Sequence, residues 1–61
     1  MKYIVELEPH VFLAPWKGDP GRTLVERQAK RYPSVSSATF ALAHARKYRN
    51  FPDAAVCEVK E

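Results

Sequence analysis

The sequence lacks most of the features that stabilise a very short chain or carry out chemistry. It has a single cysteine, Cys57, so no internal disulfide can form. Its two histidines, His10 and His44, are isolated from each other, and no Cys/His cluster suitable for zinc is present. No uninterrupted apolar run, such as that at residues 11–14, exceeds about four residues, which is far short of a membrane span. We therefore expect no metal, no cofactor and no membrane insertion.

The chain is also short, with 61 residues that we interpret as one α+β domain over residues 1–61. A chain of this size buries only about 60% of the surface that its unfolded form exposes, so its stability is marginal. Association into a homodimer would be a further source of stability. The free thiol and the lack of a signal peptide favour a reducing, cytoplasmic setting.

One stretch, residues 34–49, has a clean helical period. Ser34 is a suitable N-cap, because its hydroxyl can accept a hydrogen bond from the N–H of Ser37. One side of this helix carries mostly small apolar residues, namely Val35, Ala38, Ala41, Leu42 and Ala45. Small inward side chains predict a helix that lies close against a sheet. At its end, Asn50 is predicted to take a left-handed conformation, and Pro52 prevents any continuation.

The opposite side of this helix carries Phe40, His44 and Lys47, which follow one another at i, i+4 and i+7. These residues share a stripe that points away from the predicted core. Two interpretations stay open. Single exposed apolar residues are common and need no function, whereas an exposed Phe beside a His and a Lys also suits a contact with a partner. The three residues are our candidate partner surface.

Four other segments have the alternation or the β propensity of strands. The predicted strands are Lys2–Glu8, Val11–Ala14, Thr23–Gln28 and Ala54–Lys60. After the third strand, an irregular stretch should turn Ala29 and Tyr32 inward. In the first strand Ile4 stands on the otherwise polar face, where we expect a loop to cover it. The order predicts an α+β sandwich (βββαβ), with one helix on one face of a small antiparallel sheet of three to four strands.

The loop at residues 15–21 is dense in turn residues. It lacks the Gly-Lys-Ser/Thr ending of a phosphate-binding loop and does not lead into a helix. We expect Trp16, at the start of this loop, to be a hydrophobic lid on one edge of a small core. We expect Cys57 to be a small buried hydrophobe, because no nearby cation or helix start would favour its thiolate.

Three stretches of the chain carry a resemblance. They are KYIVELE at residues 2–8, VFLAPWKGDPGRTLV at residues 11–25 and AKRYPSVSSATFALAHARKYR at residues 29–49. Together they resemble a loose class of short uncharacterised proteins from bacteria and their phages. The resemblance covers nearly the whole chain and lies in packing and turn residues. It implies the strand-strand-strand-helix-strand fold and a bacterial or prophage origin, and it carries over no catalytic residue.

The net charge of +3 is unevenly distributed. Residues 17–49 contain eight lysines and arginines against two acidic residues, a net +6, whereas the two ends together have a net −3. Five cations would form one basic surface if the segment before the helix lies near the helix's end: Lys30, Arg31, Arg46, Lys47 and Arg49. Such a surface would bind nucleic acid in a salt-dependent way, with Trp16, Phe40 or Tyr48 to stack on bases.

The sequence argues against an enzyme. Acid–base catalysis needs titratable groups that converge in a pocket, and here the carboxylates fall mainly on outward strand positions. The modest net charge and the lack of a nucleic-acid-binding motif also weigh against a nucleic-acid binder. We therefore predict a non-enzymatic binding module, with a protein or a second copy of the chain as its partner and nucleic acid as the alternative.

Overall fold

The computed structural model describes residues 2–18 and 20–59. Four strands form one antiparallel sheet in the order β3-β2-β1-β4: β1 (Lys2–Glu8), β2 (Val11–Leu13), β3 (Arg22–Thr23) and β4 (Ala55–Val59). One helix, α1 (Val35–Ala45), packs against β1 and β4, and a short 3-10 helix (Glu26–Gln28) follows β3. This arrangement confirms the predicted α+β fold. The last residue of the predicted fourth strand, Lys60, lies outside the described residues.

Strand β1 has a neighbour on each side, and both faces of the sheet are built around it. Its side chains alternate, so that Val5 and Leu7 point toward α1 while Ile4 points to the opposite face. All three are fully buried. Strand β4 keeps the same alternation, since in its register with β1 Val56 lies beside Val5 and Cys57 lies beside Ile4. The predicted alternation of β1 is confirmed, and so is the prediction that Ile4 is covered.

The start of α1 is fixed by two serines. The Ser34 hydroxyl accepts a hydrogen bond from the Ser37 N–H at 3.2 Å, and the Ser37 hydroxyl accepts one from the Ser34 N–H at 3.3 Å. This reciprocal pair satisfies backbone N–H groups that would otherwise have no partner at the helix start. The predicted N-cap is confirmed.

The end of α1 differs from the prediction, which extended the helix to Arg49. The α-helix ends at Ala45, because the next turn tightens and the Tyr48 N–H donates to the carbonyl of Ala45, three residues back, at 3.0 Å. The left-handed residue is Phe51, with a φ of 45°, and not Asn50. This conformation turns the Phe51 side chain into the core, and burial of its ring offsets the backbone strain.

The main core lies between α1 and the sheet. Its buried members are Val5, Leu7, Leu13, Tyr32, Ala38, Leu42, Ala45 and Phe51. The inward orientation of Leu42 and Tyr32 is therefore confirmed, and Ala41 is half-buried. The prediction is wrong for Val35, which is 52% exposed. Val35 is the first residue of α1, and the buried side of the helix begins one turn later at Ala38.

A second, smaller cluster occupies the other face of the sheet. Its buried members are Ile4, Phe12 and Ala29, and two partly buried residues, Cys57 and Val59, pack against them. Ala29 reaches this position because the segment after β3 returns to the sheet, where the Lys30 N–H donates to the Leu13 carbonyl at 3.0 Å. The prediction that Ala29 turns inward is confirmed, and a short segment covers the sheet face that α1 leaves open.

The third strand is much shorter than the predicted Thr23–Gln28. It consists only of Arg22–Thr23, because the Thr23 hydroxyl accepts a hydrogen bond from the Val25 N–H at 3.0 Å and turns the chain away from the sheet. The residues Glu26–Gln28 then form the 3-10 helix. A local side-chain bond of this kind competes with sheet pairing, so the β propensity of the segment did not decide its structure.

Trp16, the predicted lid, is 47% exposed. Its loop is closed by a hydrogen bond of 2.9 Å from the Ala14 N–H to the Gly21 carbonyl. A Cβ atom at Gly21 would overlap the carbonyl oxygen of Trp16. Glycine is therefore needed here for a close approach of two backbone segments, and the predicted lid is at most a partial one.

Candidate functional site

The candidate partner surface of Phe40, His44 and Lys47, which we name the partner face, lies on the outer side of α1 and in the turn after it. Phe40 is 68% exposed, as its outward placement in the sequence predicts. Its ring packs against the His44 ring with centroids 4.6 Å apart and an interplanar angle of 64°. Lys47 follows in the turn after α1, where its N–H donates to the His44 carbonyl at 3.1 Å. The structure thus places Phe40 and His44 in contact, with Lys47 one turn farther along.

The contact between the Phe40 and His44 rings restricts how the Phe40 ring is oriented on the partner face. An edge-to-face arrangement favours one orientation of the Phe40 ring over others. A ring that is already oriented loses less conformational freedom on binding than a free one. His44 adds hydrogen-bonding nitrogens beside the apolar ring. An apolar centre with a polar border is the usual anatomy of a protein interface.

The predicted basic surface draws its cations from the segments before and after α1. Residues 30–31 precede Tyr32, whose backbone pairs with that of Tyr3 near the start of β1. Arg49 lies at the other end, where its Nη1 is 3.8 Å from Oε1 of Glu8. The strand between Tyr3 and Glu8 spans roughly 16 Å. Tyr32 and Arg49 are therefore anchored toward opposite ends of β1, while the Lys30 N–H bonds to the Leu13 carbonyl in β2. A single basic surface stays a prediction.

The two cations before α1 also have contacts within the fold. Nη1 of Arg31 donates to three backbone carbonyls in and just after the 3-10 helix, at distances of 2.8 to 3.3 Å. Nζ of Lys30 lies 5.4 Å from the centroid of the Tyr32 ring, within the range of a cation–π contact. The guanidinium of Arg31 therefore stabilises the turn that carries Ala29 into the second cluster.

At the opposite end of β1 a groove of about 290 Å³ opens, which we name the arginine groove. Its lining residues are Glu8, Val11, Arg22, Thr23, Leu24 and Arg49. They come from the end of β1, the start of β2, β3 and the residue after it, and the segment after α1. Arg49 is among the binding residues that the sequence predicts, whereas Arg22 is not, because no local pattern links two residues so far apart in the chain.

The single cysteine lies on the second face of the sheet. Burial raises the pKa of the Cys57 thiol, and the carboxylates of Glu6 and Glu26 raise it further. A raised pKa leaves little thiolate at neutral pH, and the thiolate is the reactive form. The partial burial of Cys57 against Ile4 and its raised pKa both favour the structural role that the sequence indicates.

Two kinds of feature are absent from residues 2–18 and 20–59. No group of three or more His, Cys, Asp and Glu side chains in these ranges is placed to hold a metal ion. None of the helices that these residues form has the length and apolar character that a membrane crossing requires.

Strand β4 forms one edge of the sheet, with β1 as its one neighbour in the described sheet. The backbone of Tyr3 bonds to Tyr32 on the side away from β4. Since alternate residues of an antiparallel pair exchange hydrogen bonds, Glu58 opposite Tyr3 directs its N–H and C=O outward, and Val56 does the same. These outward groups are a template on which another strand can pair.

No protein-family model, curated protein or solved structure matches the chain. The resemblance to short proteins of bacteria and their phages is therefore neither supported nor contradicted, and it stays a prediction.

Proposed function

We propose that the protein is a non-enzymatic binding module that contacts a partner protein through the partner face. The observation that carries this proposal is the exposure of Phe40, which projects from the middle of α1 with 68% of its surface open to solvent. An aromatic ring in that position adds little to the core and buries its remaining area only against another molecule. Aromatic side chains are enriched at the centres of protein interfaces.

The neighbours of Phe40 indicate the chemistry of the partner. His44 provides hydrogen-bonding nitrogens at the edge of the ring, and Lys47 adds a positive charge nearby. A complementary surface therefore has an apolar pocket for the ring and an acidic group at its border, because charge complementarity favours the correct orientation of the two molecules.

Capture from a lysate of the source cells with three immobilised forms of the protein tests the proposal. The forms are the wild type, Phe40→Ala and Val35→Ala. Val35 is also exposed on α1 but lies outside the partner face, so its substitution is a matched control. We expect the wild type and Val35→Ala to retain the same proteins and Phe40→Ala to lose them. Equal retention by all three forms would contradict the proposal.

Nucleic acid is a second candidate, favoured by one observation. Tyr48 is 60% exposed and lies in a turn that also carries the exposed cations Arg46 and Lys47, with Arg49 next along the chain. An exposed ring among cations is an arrangement with which proteins bind single-stranded nucleic acid. This candidate ranks second, because the net charge of +3 is modest and the sequence contains no nucleic-acid-binding motif.

A second copy of the chain is an alternative partner, and it would bind through a surface other than the partner face. The open edge of β4, with outward backbone groups at Val56 and Glu58, suits antiparallel pairing with another β4. Such a dimer would give a molar mass that rises with protein concentration and does not fall at high salt. Sedimentation equilibrium measures this mass directly, and a constant monomer mass over the whole range would rule out the homodimer.

A further inference from the structure

We infer that the protein binds a second copy of itself through β4, in an antiparallel register whose two-fold axis passes between Cys57 and the partner's Cys57. The two four-stranded sheets then join into one. The two-fold axis is perpendicular to the joined sheet, so both α1 helices lie on the same face of it. This inference rests on the homodimer named above as an alternative partner and specifies its register. It uses no residue of the partner face, so the two surfaces can be tested separately.

The backbone of β4 limits which registers are possible. Val56 and Glu58 direct their N–H and C=O groups away from β1, which is the one neighbour of β4 within residues 2–18 and 20–59. In an antiparallel pair, a residue that directs these groups toward the neighbouring strand must face a residue that does the same. Three symmetric registers of β4 fulfil this condition. They place Val56 beside the partner's Val56, Glu58 beside the partner's Glu58, or Val56 beside the partner's Glu58.

Two of these registers are unfavourable. With Val56 beside the partner's Val56, Glu58 would face the partner's Ala54. The Ala54 N–H already donates to the Phe51 carbonyl at 3.1 Å, so it cannot complete a second hydrogen-bonded pair. With Glu58 beside the partner's Glu58, two carboxylates stand directly opposite each other, which is destabilising. The third register closes two hydrogen-bonded pairs and places no like charges opposite each other.

The side chains on the second face of the sheet agree with the third register. By the alternation of β4, Ala55, Cys57 and Val59 share this face, where Ala55 is exposed and the other two are half-buried. The register places Cys57 beside the partner's Cys57 and Ala55 beside the partner's Val59. Each of these pairs buries apolar surface that a single chain leaves open. Since β4 matches itself in hydrogen bonding, charge and apolar pattern, a second copy is the occupant that fits this edge. A chain as short as this one also gains stability from such an association.

The single cysteine makes the register measurable. Cys57 and the partner's Cys57 form a non-hydrogen-bonded pair with Cα atoms about 4.5 Å apart, which is within the range of a disulfide, about 4.4–6.8 Å. The oxidant diamide takes up the protons and electrons that the two thiols lose, and it should convert the wild type into a covalent dimer.

The matched control moves the cysteine to Ala55, as Ala55→Cys combined with Cys57→Ala. In this register the two introduced cysteines lie roughly 14 Å apart, so we expect them to cross-link at least about tenfold more slowly than Cys57. Exposure alone predicts the opposite order, because Ala55 is more exposed than Cys57 and accessible thiols react faster. The comparison therefore reports the register and not the accessibility of the thiol.

Glu58→Pro tests the backbone pairing. Proline has no N–H, and the Glu58 N–H points away from β1, so the single chain tolerates the substitution on its edge strand. The dimer loses a hydrogen bond from each half of its interface. In sedimentation equilibrium we expect Glu58→Pro to associate at least about tenfold more weakly than the wild type. Glu58→Ala keeps the N–H and should associate like the wild type, and circular dichroism shows that both variants are folded.

Several results would overturn the inference. A constant monomer mass for the wild type would exclude the dimer, and equal association of Glu58→Pro and Glu58→Ala would place the contact elsewhere. Cross-linking through Ala55→Cys as fast as through Cys57 would contradict the register. Phe40→Ala separates this inference from the proposed function, since it should abolish partner capture and leave the dimer mass unchanged. Loss of the dimer in Phe40→Ala would instead assign the second copy to the partner face.

Discussion

The backbones of Tyr3 and Tyr32 exchange two hydrogen bonds, with N···O distances of 2.9 and 2.8 Å. This pairing fixes the segment before α1 at the start of β1, and α1 then runs from there toward the other end of the sheet. Tyr32 is therefore anchored at the opposite end of β1 from Glu8, which Nη1 of Arg49 approaches to 3.8 Å. The Tyr3–Tyr32 pairing thus fixes the path of the chain into α1, whose outer side carries the exposed Phe40.

The two sides of α1 should respond differently to truncation. Leu42→Ala removes a buried side chain and should lower the free energy of unfolding by about 2–5 kcal/mol. Phe40→Ala removes an exposed side chain and should change it by no more than about 0.5 kcal/mol. Urea unfolding followed by Trp16 fluorescence measures both values. A large loss of stability in Phe40→Ala would mean that the ring belongs to the core and that the partner face is misplaced.

Arg31 should matter to the fold through its geometry and not through its charge. Arg31→Lys keeps the charge but replaces the planar guanidinium, whose Nη1 donates to three carbonyls near the 3-10 helix. We expect a loss of about 1 kcal/mol in the free energy of unfolding. Arg27→Lys, at an exposed position of the same 3-10 helix, should be neutral. Equal stability of the two variants in urea unfolding would show that the Arg31 contacts contribute nothing.

Stability should fall as the solution becomes alkaline. Burial, together with Glu6 and Glu26, raises the pKa of Cys57 in the folded protein, so the unfolded chain releases this proton at a lower pH. The folded state then binds more protons, and the free energy of unfolding decreases as the pH rises above about 8.5 and through the raised pKa. Below that pH the stabilising contribution is complete. Urea midpoints between neutral and alkaline pH measure the slope.

Cys57→Ala provides the control for this pH dependence. In this variant, the decrease in the free energy of unfolding that begins near pH 8.5 should disappear. A decrease at higher pH should remain, because burial also raises the pKa of Tyr32, whose ordinary value is about 10. A slope that is identical in the wild type and in Cys57→Ala would mean that the thiol is as well solvated in the folded protein as in the unfolded chain.

The elements that the sequence predicts well are those whose signals are local. The alternation in β1 follows from its own residues, and the start of α1 follows from Ser34 and Ser37, which bond to each other. The segment after Thr23 could not be predicted in the same way, because one hydroxyl bond overrides its β propensity. The left-handed conformation was expected of Asn50, but Phe51 takes it. A tertiary contact decides this backbone conformation, because it buries the Phe51 ring in the core.

The candidate sites differ in the same respect. The partner face lies on one helix, so helical spacing alone places Phe40 beside His44. The arginine groove depends on the meeting of Arg22 with Arg49, and only the tertiary fold brings these two side chains to one place. The prediction of one basic surface requires the segments before and after α1 to lie close together. The sequence alone does not give the distance between them.

The most direct test of the proposed function is the affinity of a captured partner for the wild type, Phe40→Ala and Val35→Ala, measured by titration calorimetry. If Phe40 is the central contact of the interface, its truncation should weaken binding by about thirtyfold or more, while Val35→Ala should bind like the wild type. Equal affinities of all three forms would contradict a partner-binding role for the outer side of α1.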